Sequence, residues 1–534
     1  MRGVDRFRTR YDAVVVGGGH NGLVAASYLA RAGQSVLLLE RNPDLGGATA
    51  SRRVFPGMDA RLSRYSYLVS LLPREIVDDL GLRFETRRRA VASCTPYERD
   101  GRPDALLLSN VDDQGSRASF AALADDEDWR GYQALLALEQ AFAARVWPSL
   151  LQPLRSRAEW EASLGTRLER DAWEAFVERP LGETIERHVK NDLLRGVLFT
   201  DGKIGIFTHP HDETLPQNRC FIAHVIGNGT GEWRVPVGGM GALVDALTAS
   251  ARDGGATLMT GATVDAIHTG APRYTVVFRH EDREHAVEAT RVLVNAGPRV
   301  FDRLLDRPRR DAPADEGSVC KVNMLLRRLP RLKAPGVDPR DAFGGTLHID
   351  ESYDQMRTSY RQAAAGAIPD RPPAEIYCHT LTDDSILGPD LRDAGYHTLT
   401  LFGLDAPYRL FETDHDARKA EFLRRYLQGL NRILADPIEE CLAVDANGAP
   451  CIEIKTPQDL ERELALNQGN IFHRALSWFF AEDNDQVGTW GVDTPYERIY
   501  RCGSSAQRGG AVSGIPGRNA ARQVLGEMLL GLLT

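Results

Sequence analysis

The sequence is poor in cysteine, in excess positive charge and in long apolar runs, and each shortage excludes a class of protein. Its 534 residues include 7 cysteines, and no two of them form a Cys-x-x-Cys pair. This argues against the redox-active disulfide of a disulfide reductase and against a zinc knuckle. The formal net charge of −9 argues against a nucleic-acid partner, because proteins that bind nucleic acid usually carry excess basic residues.

The chain also lacks the features of a membrane-spanning or secreted protein. No run of about 18 apolar residues occurs, so we expect no transmembrane helix. Residues 1–10 are basic, but no apolar segment follows them, so we expect no secretory signal and a cytoplasmic location. The apolar stripe of the last helix (Val524, Leu525, Met528, Leu529, Leu532, Leu533) suits core packing, with peripheral membrane contact as the alternative.

Residues 11–40, YDAVVVGGGHNGLVAASYLARAGQSVLLLE, are the most informative part of the sequence. Their order of apolar run, glycine turn, helical pattern, second apolar run and acid is that of a dinucleotide-binding βαβ unit. We expect Gly17 to allow the sharp turn, Gly19 to let backbone N–H groups approach a pyrophosphate, and Gly22 to let helix and strand pack closely. Glu40 is the acid expected to bind a ribose hydroxyl.

The segment after Glu40 points to the kind of nucleotide. Arg41 follows the acid directly, and Gly46 and Gly47 form a second glycine pair that lets the backbone pass close to the same ligand. NAD-binding domains do not usually need such a pair. The E-R-x-x-x-x-G-G pattern resembles the large family of FAD enzymes that includes the amine oxidases and phytoene desaturases. The resemblance implies that FAD is the cofactor and that this segment runs beside its diphosphate.

Two later segments extend the resemblance. Residues 503–521, GSSAQRGGAVSGIPGRNAA, form a glycine-rich entry into a last helix. In the flavin family this entry covers the ribityl chain and the pyrimidine edge of the flavin. The resemblance therefore places Gly503 and Ser504 near the ribityl chain, and Val512 and Ser513 near flavin O2. It also implies that Val264 binds the adenine through its backbone.

A third motif narrows the family. Residues 469–473, GNIFH, together with the C-terminal segment, resemble the phytoene-dehydrogenase-like branch that contains the pyridine nucleotide-disulphide oxidoreductase domain-containing protein 2. His473 is the candidate catalytic residue, and a structural histidine bonded to backbone is the equally weighted alternative. His209 and His211 lack a third clustered ligand, so we expect a solvated loop there and no metal site.

The order of the segments predicts the architecture. We expect an α/β fold with a Rossmann-type FAD-binding domain made of residues 10–80, 232–300 and 488–534. An interleaved α+β substrate domain is expected from residues 81–231 and 301–487. The active site would lie where the two domains meet, above the flavin ring.

The predicted function is that of an FAD-dependent oxidoreductase. The first hypothesis is a desaturase-type dehydrogenase that transfers a hydride from an apolar substrate, such as an isoprenoid, to flavin N5, with oxygen or a quinone as electron acceptor. A flavin-dependent isomerase or a flavin-binding module without turnover is the alternative, and an amine oxidase is a further one. An NAD-dependent enzyme ranks last, because it leaves Gly46, Gly47 and residues 503–517 unexplained. Oligomeric state is not predicted.

Overall fold

The computed structural model describes residues 7–270, 272–309, 312 and 315–531. The chain alternates between strands and helices, as the sequence patterns predict. The strands are β1 (Arg10–Val16), β2 (Val36–Leu39), β3 (Ser51–Arg53), β4 (Arg61–Ser63), β5 (Thr86–Arg87), β6 (Val91–Arg99), β7 (Arg102–Ser109), β8 (Val235–Pro236), β9 (Thr257–Met259), β10 (Thr263–His268), β11 (Tyr274–His280), β12 (Arg283–Val294), β13 (Cys320–Leu326), β14 (Thr346–Ile349), β15 (Ala374–Tyr377), β16 (His397–Gly403), β17 (Ile452–Lys455) and β18 (Ile499–Arg501).

The helices vary from a single turn to six turns. They are α1 (His20–Arg31), α2 (Arg74–Asp79), α3 (Asp113–Leu123), α4 (Asp126–Val146), α5 (Arg157–Ala162), α6 (Arg167–Trp173), α7 (Leu181–His188), α8 (Asp192–Thr200), α9 (Pro216–Val225), α10 (Met240–Asp253), α11 (Pro298–Leu304), α12 (Pro339–Gly344), α13 (Tyr353–Ala364), α14 (Pro389–Asp393), α15 (His415–Ile433), α16 (Ile438–Cys441), α17 (Pro457–Leu464) and α18 (Ile515–Gly531).

The first sheet is built from three distant parts of the chain. Its order is β10-β11-β12-β1-β2-β9, with β18 paired to the end of β12. Strands β12, β1, β2 and β9 are parallel neighbours, and Val16 lies opposite both Leu39 and Val294. Since parallel strands end at one edge, the residues that follow them (Gly17, Glu40 and Asn295) meet there.

Helices α1, α10 and α18 cover one face of this sheet. Their apolar residues pack with Val15 and Leu38 in one core cluster. Val524 is buried in that cluster, and Leu525 and Met528 pack against it, so these members of the last-helix stripe lie on the protein's own core. Leu532 and Leu533 lie outside the described residues.

The second sheet takes its strands from the two segments between the parts of the first. Its order is β17-β13-β16-β15-β14-β6-β7. Lys321 of β13 lies opposite Phe402 of β16, Phe402 opposite Glu375 of β15, and Glu375 opposite His348 of β14. Residues directly opposite one another share a face, so these four side chains form a row across four neighbouring strands.

Candidate active site

The first glycine turn joins β1 to α1, and its backbone contacts are too close to leave room for a Cβ atom. Gly17 has a φ of 101°, and a Cβ there would lie 2.4 Å from the carbonyl oxygen of Asn295. A Cβ on Gly22 would lie 2.1 Å from the carbonyl oxygen of Gly17. Helix α1 therefore packs against the turn at a distance that requires glycine, and its N-terminal N–H groups face the space beyond the strand ends.

Glu40 closes this turn from the second strand. Its buried carboxylate accepts hydrogen bonds from the backbone N–H of Gly18 at 2.7 Å and from that of Asn42 at 2.8 Å. One bond to each oxygen leaves further lone pairs free for a ligand hydroxyl. The guanidinium of Arg41 donates to the carbonyl of Glu463 at 2.8 Å.

The second glycine pair lies directly beside the first turn. The N–H of Gly46 donates to the carbonyl of Gly18 at 2.8 Å, and Gly46 has a φ of 111°. Gly47, with a φ of 54°, is so close that a Cβ there would lie 3.5 Å from the Cα of Gly19. The structure therefore brings both glycine segments to one place.

Asn295 connects these glycine turns to the C-terminal segment, although the sequence motifs did not predict it as a site residue. Its amide Nδ2 donates to the carbonyls of Gly17 at 3.1 Å and Gly19 at 3.4 Å. Its Oδ1 would lie 2.5 Å from a Cβ on Gly503. Next to Gly503, the Oγ of Ser504 accepts from Nδ2 of Asn21 at 3.4 Å. The signal that could have found Asn295 is its position at the carboxyl end of a strand parallel to β1.

A cavity of about 500 Å³ extends from these turns to the second sheet. Most of the predicted site residues line it: Gly17, Gly19, Glu40, Arg41, Gly47, Val264, His473, Ser504 and Val512. Gly22, Gly46 and Gly503 lie behind the lining, in the close contacts given above. Ser513 lines a separate, smaller cavity, and its Oγ accepts from the N–H of Ile515 at 3.3 Å.

The cavity wall fits a dinucleotide cofactor. It combines an acid with free lone pairs, close glycine backbone and the N-terminus of a helix, which are the groups that bind ribose and pyrophosphate. Four buried polar atoms of the lining have no hydrogen-bond partner among the described residues: Nε2 of His20, Oδ1 of Asn21, Nδ1 of His473 and Nε of Arg89. Buried polar atoms normally have partners, so these atoms suit a polar ligand.

His473 and His20 are both uncharged at neutral pH. Burial lowers the pKa of His473 to about 4. Burial, and then the neighbouring His473, lower the pKa of His20 to about 4 as well. The backbone of His473 has a φ of 70°, which is unusual for a residue with a side chain. The other two predicted histidines lie apart: His211 contacts Glu186 at 2.8 Å, and the ring of His209 lies 5.0 Å from that of Tyr360.

The row on the second sheet was not found from the sequence. Lys321, Phe402, Glu375 and His348 all line the cavity. The amine of Lys321 donates to the carbonyls of Ser63 at 2.9 Å and Tyr65 at 2.5 Å. Burial lowers the pKa of Lys321 well below its usual value. Its side chain is therefore an amine that two hydrogen bonds hold in the cavity wall and whose neutral form burial favours, a typical feature of a functional site.

Comparisons with known proteins agree with this geometry. The sequence model for flavin containing amine oxidoreductases matches residues 22–440. An uncharacterized protein of Mycobacterium tuberculosis is 46% identical over 527 residues, covering 96% of this chain and 97% of that protein. Pyridine nucleotide-disulfide oxidoreductase domain-containing protein 2 of Mus musculus is 31% identical over 575 residues, covering 98% and 94%. The solved structure of putrescine oxidase bound to putrescine has a TM-score of 0.57 at 17% identity, covering 98% of this chain and 99% of that chain.

The chain belongs to the flavin-containing amine oxidoreductase family, because the family match spans most of its length. Its cofactor is FAD, and it is an oxidoreductase. The predicted α/β fold class and the predicted cofactor are thereby confirmed. Within the described residues, every helix is too short or too polar to cross a membrane.

Proposed function

We propose that the protein is an FAD-dependent dehydrogenase of the desaturase type, which removes two hydrogens from an apolar substrate. The supporting observation is the cavity wall beyond the glycine turns. Aromatic and aliphatic side chains from the second sheet, from helices and from loops contribute to it: Leu68, Leu136, Leu198, Phe221, Phe402 and Phe472. A wall of this kind favours a substrate with a large apolar body.

The protein's own part in the reaction is to hold the substrate and accept a proton. When bound, FAD accepts the hydride that leaves the substrate. The second hydrogen leaves as a proton and needs a base near the cavity. Burial lowers the pKa of both Lys321 and His473 and so favours their neutral, proton-accepting forms, and both side chains line the cavity. An uncharged amine that donates two hydrogen bonds keeps one lone pair, so Lys321 is the proposed proton acceptor.

The electron acceptor is proposed from the sequence. No second glycine motif of the NAD type occurs in the chain, so we propose that oxygen or a quinone reoxidises the cofactor.

Amine oxidation is the second candidate. The rings of Tyr67 and Tyr377, both in the cavity wall, lie 4.5 Å apart. Half-buried Glu139 lines the same wall, and partial burial raises its pKa to about 8. Aromatic faces and a nearby acid suit a substrate that carries a cationic amine.

Anaerobic reduction of the bound flavin distinguishes the two candidates. A set of isoprenoid alkenes and a set of primary amines are mixed separately with the purified flavoprotein, and loss of the visible flavin band is followed. We expect the alkenes to reduce the flavin, whereas reduction by amines alone would favour the second candidate.

A variant of Lys321 tests the proposed base. In Lys321→Met, flavin reduction by the active substrate should slow by about 10²–10⁴-fold, the usual contribution of a general base. The exposed Lys333, whose amine donates to the carbonyl of Arg432, provides the control Lys333→Met, which should keep the wild-type rate. An unchanged rate in Lys321→Met would show that the proton goes elsewhere.

A further inference from the structure

The end of the row farthest from Lys321 carries a cluster of two carboxyl groups and an imidazole, formed by His348, Glu351 and Glu375. Glu375 lies opposite His348 on the neighbouring strand, and Glu351 follows β14 by two residues. All three side chains are buried, at 6%, 0% and 2% exposure respectively. Three strand spacings separate His348 from Lys321, which is about 14 Å, so the cluster is distant from the proposed base.

The donor atoms of the cluster lie within the reach of a single ion. Nδ1 of His348 lies 2.5 Å from Oε2 of Glu351 and 3.9 Å from Oε1 of Glu375. One ligand atom from each residue lies within 4.8 Å of the others. Zinc binds nitrogen and carboxylate oxygen at about 2.0–2.2 Å, which places tetrahedral ligand atoms about 3.3–3.6 Å apart. Side-chain shifts of about 1 Å, with Glu351 moving away from His348 and Glu375 towards it, would bring all three atoms to one ion.

Hydrogen bonds from neighbouring hydroxyls orient the two carboxyl groups. Oγ1 of Thr200 donates to Oε2 of Glu351 at 3.0 Å. The hydroxyl of Tyr377 donates to Oε2 of Glu375, so the other oxygen, Oε1, is the one that faces His348. Orienting partners of this kind accompany the first ligands of protein metal sites.

One oxygen of the cluster is unsatisfied. Among the residues that the structure describes, none donates a hydrogen bond to the buried Oε1 of Glu351. An unpaired carboxylate oxygen in a protein interior is costly, and a bound cation removes that cost.

Acidic side chains outnumber basic ones at this end of the cavity. Asp201 and Glu375 line the same wall as His348, and Glu351 lies behind it. The guanidinium of Arg89 is a basic group in this wall, and it donates to the hydroxyl of Thr346.

We propose that His348, Glu351 and Glu375 bind one divalent transition-metal ion of the zinc class. Imidazole and carboxylate are ligands that suit zinc and similar ions. His348 and Glu375 line the cavity and Glu351 lies behind them, so the remaining coordination position faces the substrate space. A polar group at the end of an otherwise apolar substrate would bind there. The metal site itself does not depend on the proposed dehydrogenase activity.

The test uses the full-length, FAD-loaded protein with Co²⁺ and Zn²⁺ as probes. Wild-type protein should retain about one equivalent of metal after equilibrium dialysis, with Co²⁺ giving visible ligand-field absorption that Zn²⁺ abolishes. His348→Gln and Glu351→Gln should each weaken Co²⁺ binding by more than about 10-fold. His379→Gln is the matched control. His379 lies 3.2 Å from the carboxylate of Asp383, so it has one acidic neighbour in this pair, whereas His348 has two. It should bind metal like wild type.

The outcomes decide the proposal even if a ligand variant does not fold. Thr200→Val keeps all three ligands and removes one orienting hydroxyl, so it should weaken Co²⁺ binding by about 10–100-fold. Wild-type protein that binds no metal, or binding that is equal in wild type and Thr200→Val, would overturn the proposal. Bound flavin is measured on the same samples by its visible absorption, so loss of the cofactor and loss of the metal are separate results.

Discussion

Addition of one methyl group at Gly22 should displace helix α1 from the cofactor. The new Cβ would lie 2.1 Å from the carbonyl oxygen of Gly17 and 2.8 Å from Nδ2 of Asn295. Carbon and oxygen do not approach so closely without a bond, so the helix must move by about 1 Å. Overpacking of this kind costs about 1–3 kcal/mol, whereas alanine in place of glycine within a helix gains up to about 1 kcal/mol.

The net destabilisation expected for Gly22→Ala therefore lies between about 0 and 3 kcal/mol, with a midpoint of about 1.5 kcal/mol. Bound FAD requires the N-terminus of α1 at its original position. Binding to the variant must therefore restore the close contact, and the free energy of binding is less favourable by a similar amount. At 1.4 kcal/mol per factor of ten, we expect FAD affinity to fall by about 10-fold. The assay is titration of the apoprotein with FAD, followed by flavin fluorescence, together with denaturant unfolding.

The same substitution elsewhere should have the opposite effect on stability. Gly526 lies in α18, and a Cβ there would meet no atom within 4 Å. Gly526→Ala should stabilise the protein by about 0.5–1 kcal/mol and leave FAD affinity unchanged. If Gly22→Ala bound FAD as tightly as wild type, the close contact between α1 and the turn would not be what positions the helix.

The cofactor site should also respond to a change of Glu40 and to pH. Glu40→Gln leaves one acceptor oxygen for the N–H groups of Gly18 and Asn42, so FAD affinity should fall by about 10-fold or more. Glu98 is exposed, so Glu98→Gln is the control. If Glu40→Gln bound FAD as tightly as Glu98→Gln, Glu40 would not have the assigned role in cofactor binding. The lowered pKa of His473, about 4, means that the unfolded state binds the proton first as pH falls below about 6.5. The apoprotein's free energy of unfolding should therefore drop by about 2 kcal/mol less between pH 7 and pH 5 in His473→Gln than in wild type. Identical pH dependence in urea unfolding would refute this.

The nucleotide-binding half of the site could be predicted because its signals are local. Gly17, Gly19, Gly22 and Glu40 all occur within one strand-turn-helix-strand segment, and backbone geometry alone fixes their spacing. The second pair, Gly46 and Gly47, follows within a few residues. The strand and helix order of this segment in the structure is the one that the sequence predicts.

The substrate half could not be predicted, because sheet pairing creates it. Lys321, Phe402, Glu375 and His348 come from four strands whose order in the sheet is not their order in the chain. No local spacing marks such a row. The desaturase-type reaction and the role of His473 remain predictions for the same reason, since both depend on how distant side chains face a substrate.

The position of Asn295 also limits when the protein can acquire its cofactor. This one amide joins the first glycine turn to Gly503, and β18 adds to the sheet at Ile499–Arg501. Most of the polypeptide is therefore synthesised before the binding cleft can close. A truncated chain that ends before β18 would contain the first βαβ unit but would lack Gly503, so we expect it to bind FAD weakly. Tight FAD binding would therefore distinguish completed chains from truncated ones.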